Sequence, residues 1–212
     1  LVNLKVDLLF STQGIVISVA KKSTKSIPIV MAITADPVAG GLVDSLARPG
    51  GNITGITSLA RRLTGKRLEL LMEMIPKLSS AAILSTVGFS AVKDYEIAAR
   101  TLKVPLQILE VQGPTPDLRK AFQAAIKERV GAMILVSVPG LSGYRKQIVD
   151  LAVQNRLPLM SESVVAVEVG GLLSYHANND ELLRRAAIYI DKILKGAKPA
   201  DLPVVEGKKF GL

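Results

Sequence analysis

Polar side chains that could bind a small molecule follow most of the short apolar runs in this sequence. Asp36 comes directly after the run IPIVMAI and before a proline, so its carboxylate could cap a helix and also pair with a ligand ammonium group. The candidate ligand-binding residues are Thr12, Gln13, Asp36, Phe89, Ser90, Ser137, Ser161, Glu162, Ser163 and Tyr175. Each of them could instead cap a helix or shape a turn. Together, small polar groups and one or two rings are typical of a site for a small polar ligand.

The residue types required for most catalytic and metal chemistry are scarce. The chain has no cysteine, which excludes cysteine nucleophiles, thiolate metal sites and disulfides. Its one histidine, His176, leaves little material for a multi-histidine metal site or a Ser-His-Asp triad. Neither GxxxxGK[ST] nor GxGxxG occurs. We therefore predict a binding protein with no catalytic residue, cofactor or metal, and we interpret His176 as a loop residue rather than a pH switch.

Composition indicates a soluble globular protein. The 212 residues are 49% hydrophobic, with a mean hydropathy of +0.35. No apolar run approaches the roughly 20 residues of a membrane helix. A net charge of +9 could indicate a nucleic-acid partner, but the basic residues are spread along the chain and only four Phe, four Tyr and no Trp are available for base stacking. We predict no nucleic-acid partner.

Apolar runs alternate with stretches of helical period along the whole chain. The predicted strands span residues 6–11, 27–33, 52–57, 81–86, 106–111, 132–138, 157–161 and 170–175. The predicted helices span residues 14–22, 39–47, 63–75, 91–102, 116–128, 143–155 and 180–196. Such alternation predicts an α/β fold of parallel sheets with helices on both faces. The candidate residues would then share the carboxyl ends of the strands, where parallel sheets bind ligands.

Two local features qualify this pattern. In the helix predicted over 63–75, Leu71 and Met74 are assigned to the apolar face and Arg67 to the polar side. In the segment ARPGGN, Pro49 is expected to end a helix and the following two glycines to reverse the chain.

Two long phrases, DPVAGGLVDSLARPGGNITG and GGLLSYHANNDELLRRAAIYIDKILKGAKPADLPV, resemble a known family. The chain is similar to ABC-transporter substrate-binding proteins, the group that includes tryptophan- and tyrosine-type amino-acid binders. The resemblance implies a type I periplasmic-binding-protein fold, in which two α/β lobes close on a ligand by a hinge. It assigns residues 1–57 with 176–201 to a partial first lobe, 58–175 to the second lobe, and 202–212 to a tail that crosses the hinge.

The resemblance also implies a function. The protein would work outside the cytoplasm as a monomer, free or as an anchored lipoprotein. It would capture an amino acid, with aromatic ones among the candidates, and deliver it to an ABC permease. Asp36 would hold the ligand ammonium group, helix N-termini its carboxylate, and Phe89 and Tyr175 would flank its side chain. The alternative is the effector domain of a lac-repressor-type transcription regulator.

The chain departs from the family at several points. The family begins with an export signal and two further βα units, and continues with a strand and helix, so we expect a chain truncated at both ends. TVGFSAV stands where the family has an Asn-Pro-rich loop, and His176 where it has glycine. Both differences fall at expected ligand loops and bear on the identity of the ligand.

Overall fold

The computed structural model describes residues 4–33, 35–89, 91–207 and 210–212. The chain divides into two compact units. The first comprises Leu1–Arg61 and Ala177–Phe210, and the second comprises Arg62–His176 and Gly211–Leu212. Of the candidate residues, Ser90 lies outside the described ranges.

Strands and helices alternate along the described chain, as the sequence pattern predicts. The strands are β1 (Leu9–Ser11), β2 (Ile29–Ile33), β3 (Ile53–Thr57), β4 (Ala81–Thr86), β5 (Leu106–Val111), β6 (Ala132–Leu135), β7 (Leu159–Ser161), β8 (Leu173–Ser174), β9 (His176–Ala177), β10 (Val205–Glu206) and β11 (Phe210–Gly211). The α-helices are α1 (Gly14–Ser23), α2 (Thr64–Met74), α3 (Val92–Leu102), α4 (Leu118–Lys127), α5 (Pro139–Ser142), α6 (Arg145–Gln154), α7 (Val164–Glu168) and α8 (Asn179–Leu194). Short 3-10 helices cover Ala60–Leu63 and Pro199–Asp201.

The first unit is built on a parallel sheet of order β1-β2-β3-β10. Alternate residues of β2 enter separate cores, because successive side chains of a strand point to opposite faces. Ile29, Met31 and Ile33 pack on the side of α1, and Val30 and Ala32 pack on the side of α8. All five are buried, which explains why this strand reads as one continuous apolar run.

The helix predicted over residues 39–47 is wrong. Residues 37–44 form consecutive turns and bends instead, and none of residues 39–47 is helical. The Gly40–Gly41 pair weakens helix propensity, and Gly41 takes a φ of +64° that ends the first turn. Leu42 and Val43 are still buried in the core of the first unit, so the segment packs its apolar residues without helical backbone. The predicted reversal at ARPGGN is present, and Gly50 takes a φ of +79° there.

The second unit is built on a parallel sheet of order β5-β4-β6-β7-β8. The chain crosses from β4 to β5 in one direction and from β5 back to β6 in the other, so right-handed connections place α3 and α4 on opposite faces. Accordingly, α2 packs against α3, while α6 packs against both α4 and α7. Every residue of β6 is buried between these layers.

Three short elements of the second unit differ from prediction. The strand predicted over 170–175 is reduced to β8, because Gly170 has a φ of +105° and the backbone N–H of Gly171 donates to the carbonyl of Ala166 at 2.7 Å, so both glycines belong to the turn after α7. The helices α5 and α7 were not predicted, since four or five residues are too few to show helical period. No described helix is long and apolar enough to cross a membrane.

Candidate functional site

In the first unit, the loop after β1 carries two exposed polar candidates. Gln13 occupies the N-cap position of α1, but its side chain makes no capping hydrogen bond. Thr12 lines a cavity of about 280 Å³ whose other walls come from β2 and the first turn of α8. Its other lining residues are Ala32, Asn179, Leu182 and Leu183. The cavity therefore places Thr12 beside an apolar wall with one amide at its rim.

Asp36 follows β2 and organises the turn behind it. Its Oδ1 accepts hydrogen bonds from the backbone N–H groups of Val38 at 2.9 Å and Ala39 at 3.1 Å. The expected capping interaction therefore exists, although it caps a turn rather than a helix. Within the described residues Oδ2 accepts no hydrogen bond, so half of the carboxylate is available to a ligand.

Ser58, at the end of β3, is a polar residue that the sequence analysis missed. Its side chain is only 2% exposed, and its Oγ has no hydrogen-bond partner among the described residues. Its backbone N–H donates to the carbonyl of Ile33 at 3.0 Å, which fixes the residue at the carboxyl end of β2 and β3. A buried hydroxyl without a partner costs free energy, which a ligand group could recover. The signal was present, because Ser58 is a polar residue directly after a predicted strand.

In the second unit, the carboxylate of Glu162 is the centre of a buried hydrogen-bond network. Its Oε1 accepts from Arg67 Nη1 at 2.8 Å and from the Tyr95 hydroxyl at 2.6 Å, and its Oε2 accepts from the backbone N–H of Ser137 at 2.9 Å. Arg67 Nε also donates to the carbonyl of Tyr175 at 2.8 Å. We call these four interactions the Arg67–Glu162 network. They connect the carboxyl ends of β6, β7 and β8 to α2 and α3.

Burial determines how the Arg67–Glu162 network behaves. The side chain of Arg67 is 2% exposed and that of Glu162 is 13% exposed. Burial, followed by the charge of Glu162, raises the pKa of Tyr95 well above its usual value of 10.0, so the phenol remains a neutral donor. The stability that the neutral Tyr95 hydroxyl provides is therefore complete below pH 10 and is lost as the pH rises above that value. Three donors already engage the Glu162 carboxylate, so its geometry suits holding the loops after the strands in place.

The assignment of Arg67 to the polar side of its helix is wrong. Helical period places residue 67 four positions before Leu71, which is buried in the core of the second unit. The charge of the side chain obscured this, since arginine is rarely buried without a partner. Glu162, 95 positions away, is that partner. Met74, predicted on the apolar face, is 46% exposed.

Three candidate serines line one small cleft in the second unit. Ser137, Ser161 and Ser163 surround it together with Arg145, and its volume of about 10 Å³ has room for one water molecule. Ser161 is buried, and its Oγ accepts from the backbone N–H of Ser163 at 3.1 Å. Arg145 Nη1 donates to the carbonyl of Ser142 at 3.0 Å. The structure thus brings together candidates from the ends of β6 and β7.

The two aromatic candidates are both half-buried at the edge of the second core. Phe89 follows β4, and its backbone N–H donates to the carbonyl of Thr86 at 3.2 Å. Tyr175 follows β8, and its backbone N–H donates to the carbonyl of Ser161 at 3.2 Å. Both residues therefore follow the carboxyl ends of strands, as the strand pattern predicts.

His176 lies in the two-residue strand β9, which forms a sheet with β11, rather than in a loop. The partner strand β11 is more than 30 positions away in the sequence, so no local sequence pattern predicts that His176 lies in a strand. Its Nδ1 is 3.2 Å from Ser174 Oγ, and the ring lies against Gly211. Burial, followed by the positive charge of Arg67, lowers the pKa of His176 below its usual 6.5, so the ring is neutral at neutral pH.

Each unit therefore collects polar side chains at the carboxyl ends of parallel strands, as α/β proteins that bind small ligands do. The chain belongs to the ABC transporter substrate-binding protein family, whose model matches residues 1–212. The predicted fold, with parallel sheets flanked by helices as in type I periplasmic binding proteins, is confirmed, as is the resemblance to this family.

Similar proteins include amino-acid binders. A tyrosine-binding protein of Clostridioides difficile (strain R20291) is 27% identical over an alignment of 210 positions, and the alignment covers 94% of this chain and 58% of the relative. The chain thus spans little more than half the length of that curated relative. The structure of a domain from Streptococcus pneumonia in complex with L-Trp is 25% identical, with a TM-score of 0.83 over 99% of this chain and 72% of the other.

Two other solved structures share the fold over nearly the whole chain. A conserved domain protein from Vibrio cholerae O1 biovar eltor str. N16961 is 25% identical, with a TM-score of 0.87 over 99% of this chain and 71% of the other. A LacI family transcriptional regulator from Enterococcus faecalis V583, solved with ribose, covers 97% of this chain and 75% of the other at a TM-score of 0.64. At 12% identity, that regulator shares the fold alone.

Proposed function

We propose that this protein binds a free amino acid outside the cytoplasm and delivers it to an ABC permease. The observation that carries the proposal is the similarity to the L-Trp complex, which extends over 99% of the chain. The family match and the tyrosine-binding relative support the same ligand class. Aromatic amino acids are the first ligands to test. The family is named for binding rather than catalysis, and we expect the bound ligand to be released unchanged.

The residues at the carboxyl ends of the strands supply the chemistry that an amino acid requires. In the first unit, Asp36 Oδ2 can accept a hydrogen bond from the ligand ammonium group, and Ser58 Oγ can donate to or accept from a polar group. In the second unit, Phe89 and Tyr175 offer ring surfaces for an apolar side chain. The Arg67–Glu162 network holds the backbone of Ser137 and Tyr175 in position for these contacts.

Replacing Asp36 separates its structural role from ligand binding. Asp36→Asn keeps an oxygen that can accept from Val38 and Ala39 but removes the charge, so we expect an unchanged melting temperature. Loss of a charge-assisted hydrogen bond should weaken amino-acid binding at least about tenfold. Isothermal titration calorimetry measures this effect directly.

The matched control for this variant is Asp44→Asn, which removes an exposed carboxylate from the same turn segment. It should leave affinity unchanged. Wild-type affinity in Asp36→Asn would contradict the ammonium assignment and leave Asp36 as a turn residue. Because the test uses a variant that keeps the turn, misfolding cannot be mistaken for loss of the contact.

A transcription-regulator role is the competing function. The regulator that shares this fold is 12% identical, compared with 25% for the L-Trp complex, which favours transport. Addition of the protein to vesicles containing its permease should stimulate ATP-dependent amino-acid uptake. Sequence-specific DNA binding by the full-length protein, without stimulated uptake, would favour the regulator instead.

A further inference from the structure

The second unit has a distinctive surface at the amino ends of its strands, opposite the candidate ligand residues. Each helix of this unit runs antiparallel to the strands, so its last turn and the loop after it lie at that end. We call this surface the amino-end face, and define it as the last turns of α2, α3, α4, α6 and α7 with the loops that follow them. It contains none of the ligand candidates.

The amino-end face has an excess of positive charge. Its basic residues are Lys77, Arg100, Lys103, Lys127, Arg129 and Arg156, and its acidic residues are Glu73, Glu128 and Glu168. All six basic residues are exposed, and none forms an ion pair within the described chain. Among the acidic residues, by contrast, Glu73 forms an ion pair, with its Oε1 3.5 Å from Lys66 Nζ. The basic groups therefore remain available to an anionic partner.

Three of these basic residues occupy backbone positions that favour glycine. Lys103, Arg129 and Arg156 have φ values of +57°, +53° and +52°, each directly after or close to the end of a helix. Glycine is the common residue there because a side chain costs conformational energy at positive φ. Positive charge near a helix C-terminus offsets part of that cost through the helix dipole. A basic residue elsewhere in the last turn could make the same interaction with the helix dipole without the cost of positive φ. Three basic residues at positive φ therefore indicate that their side chains have a further role at this surface.

The amino-end face also exposes apolar side chains. They are Met74, Ile126, Val153, Val165, Val167 and Leu172. Val153 is 64% exposed and Leu172 is 50% exposed, and both line a groove of about 280 Å³ with Arg156. Exposed apolar groups interleaved with lysine and arginine are typical of surfaces that lie in the interface of an anionic bilayer.

We propose that the amino-end face of the second unit binds the surface of an anionic phospholipid bilayer. The basic side chains contact lipid phosphates, while Val153 and Leu172 enter the boundary between headgroups and acyl chains. The absence of Trp from the chain, and of Tyr and Phe from this face, disfavours nucleic acid as the anionic partner. The interaction would keep the protein close to the membrane and is independent of which ligand it carries.

The test is co-sedimentation of the full chain with vesicles of phosphatidylcholine and phosphatidylglycerol, compared with vesicles of phosphatidylcholine alone. Wild-type protein should bind the anionic vesicles, and added salt should weaken the binding. The variant Lys103→Gly, Arg129→Gly, Arg156→Gly should partition on the order of 100-fold more weakly. Since glycine suits positive φ, this variant should melt at the wild-type temperature or above and keep full amino-acid binding.

A control variant removes the same charge from the opposite end of the unit. This triple variant combines Lys93→Gln, Arg119→Gln and Lys120→Gln. The three residues lie in the first turns of α3 and α4, and all three side chains are exposed. This control should bind anionic vesicles nearly as wild type does. A second variant, Val153→Ser with Leu172→Ser, should bind more weakly while keeping the salt dependence.

Three results would overturn the proposal. The first is that wild-type protein does not bind anionic vesicles at low salt. The second is that the triple-glycine variant binds them as strongly as wild type does. The third is that the triple-glycine and control variants lose equal amounts of vesicle binding. If wild type ignores the vesicles but the triple-glycine variant loses permease-dependent uptake, the face binds an acidic protein surface instead, and the lipid assignment is wrong.

Discussion

Replacing Arg67 with leucine should lower the free energy of unfolding by about 3–5 kcal/mol. The side chain of Arg67 is 2% exposed, and its guanidinium contacts the Glu162 carboxylate, the Tyr95 hydroxyl and the Tyr175 carbonyl. Leucine fills much of the volume but leaves the Glu162 carboxylate buried without its cation. Urea unfolding followed by circular dichroism measures the loss.

The double variant Arg67→Leu with Glu162→Leu is the matched control. Removing both charges eliminates the uncompensated carboxylate, so the double variant should be more stable than Arg67→Leu alone. A single variant within about 1 kcal/mol of wild type would contradict the importance of the network. So would a double variant whose loss equals the sum of the two single losses, since the residues would then act independently.

Replacing Gly55 with alanine should destabilise the first unit by at least about 3 kcal/mol. Gly55 lies in the middle of β3 with a φ of +140°, opposite Met31 of the neighbouring strand β2. A Cβ added there would be 2.1 Å from the carbonyl oxygen of Met31 and 2.6 Å from its nitrogen. Backbone atoms in the centre of a sheet cannot withdraw, so β2 and β3 would have to separate.

Gly51→Ala is the control for Gly55→Ala. Gly51 is exposed, has no positive φ, and no atom lies within 4 Å of the position its Cβ would take. Alanine there should leave stability unchanged or raise it by about 0.4–1 kcal/mol. Thermal unfolding of both variants provides the comparison. Equal melting temperatures would show that β2 and β3 tolerate a side chain at Gly55.

The sequence pattern predicts most of the fold because each buried strand is a continuous apolar run. The predicted bounds of β4 and β5, residues 81–86 and 106–111, agree with the structure at both ends. The prediction fails where backbone conformation depends on single residues, as in the turns that follow Asp36, where Gly41 interrupts a helical pattern. It also fails for β9, which is stabilised by a distant partner strand.

The candidate site is predictable in location but not in its connections. Placing polar residues at the carboxyl ends of strands requires only the order of the elements, which is why the sequence alone makes Glu162 a candidate. That Glu162 engages Arg67 and Tyr95 depends on the packing of α2 and α3 against the sheet. Periodicity could have suggested a buried Arg67, but not its partner. The position of Ser58 directly after a predicted strand is visible in the sequence, but the missing hydrogen bond of its hydroxyl is not.

Calorimetric titration of the full-length protein with L-tryptophan and L-tyrosine tests the central claim most directly. We predict saturable one-to-one binding of at least one of them, accompanied by a higher melting temperature. At a ligand concentration about 100 times the dissociation constant, the gain in stability should be about 2.7 kcal/mol. If neither these nor the other free amino acids bind or raise the melting temperature of folded, full-length protein, the assignment to amino-acid capture is wrong.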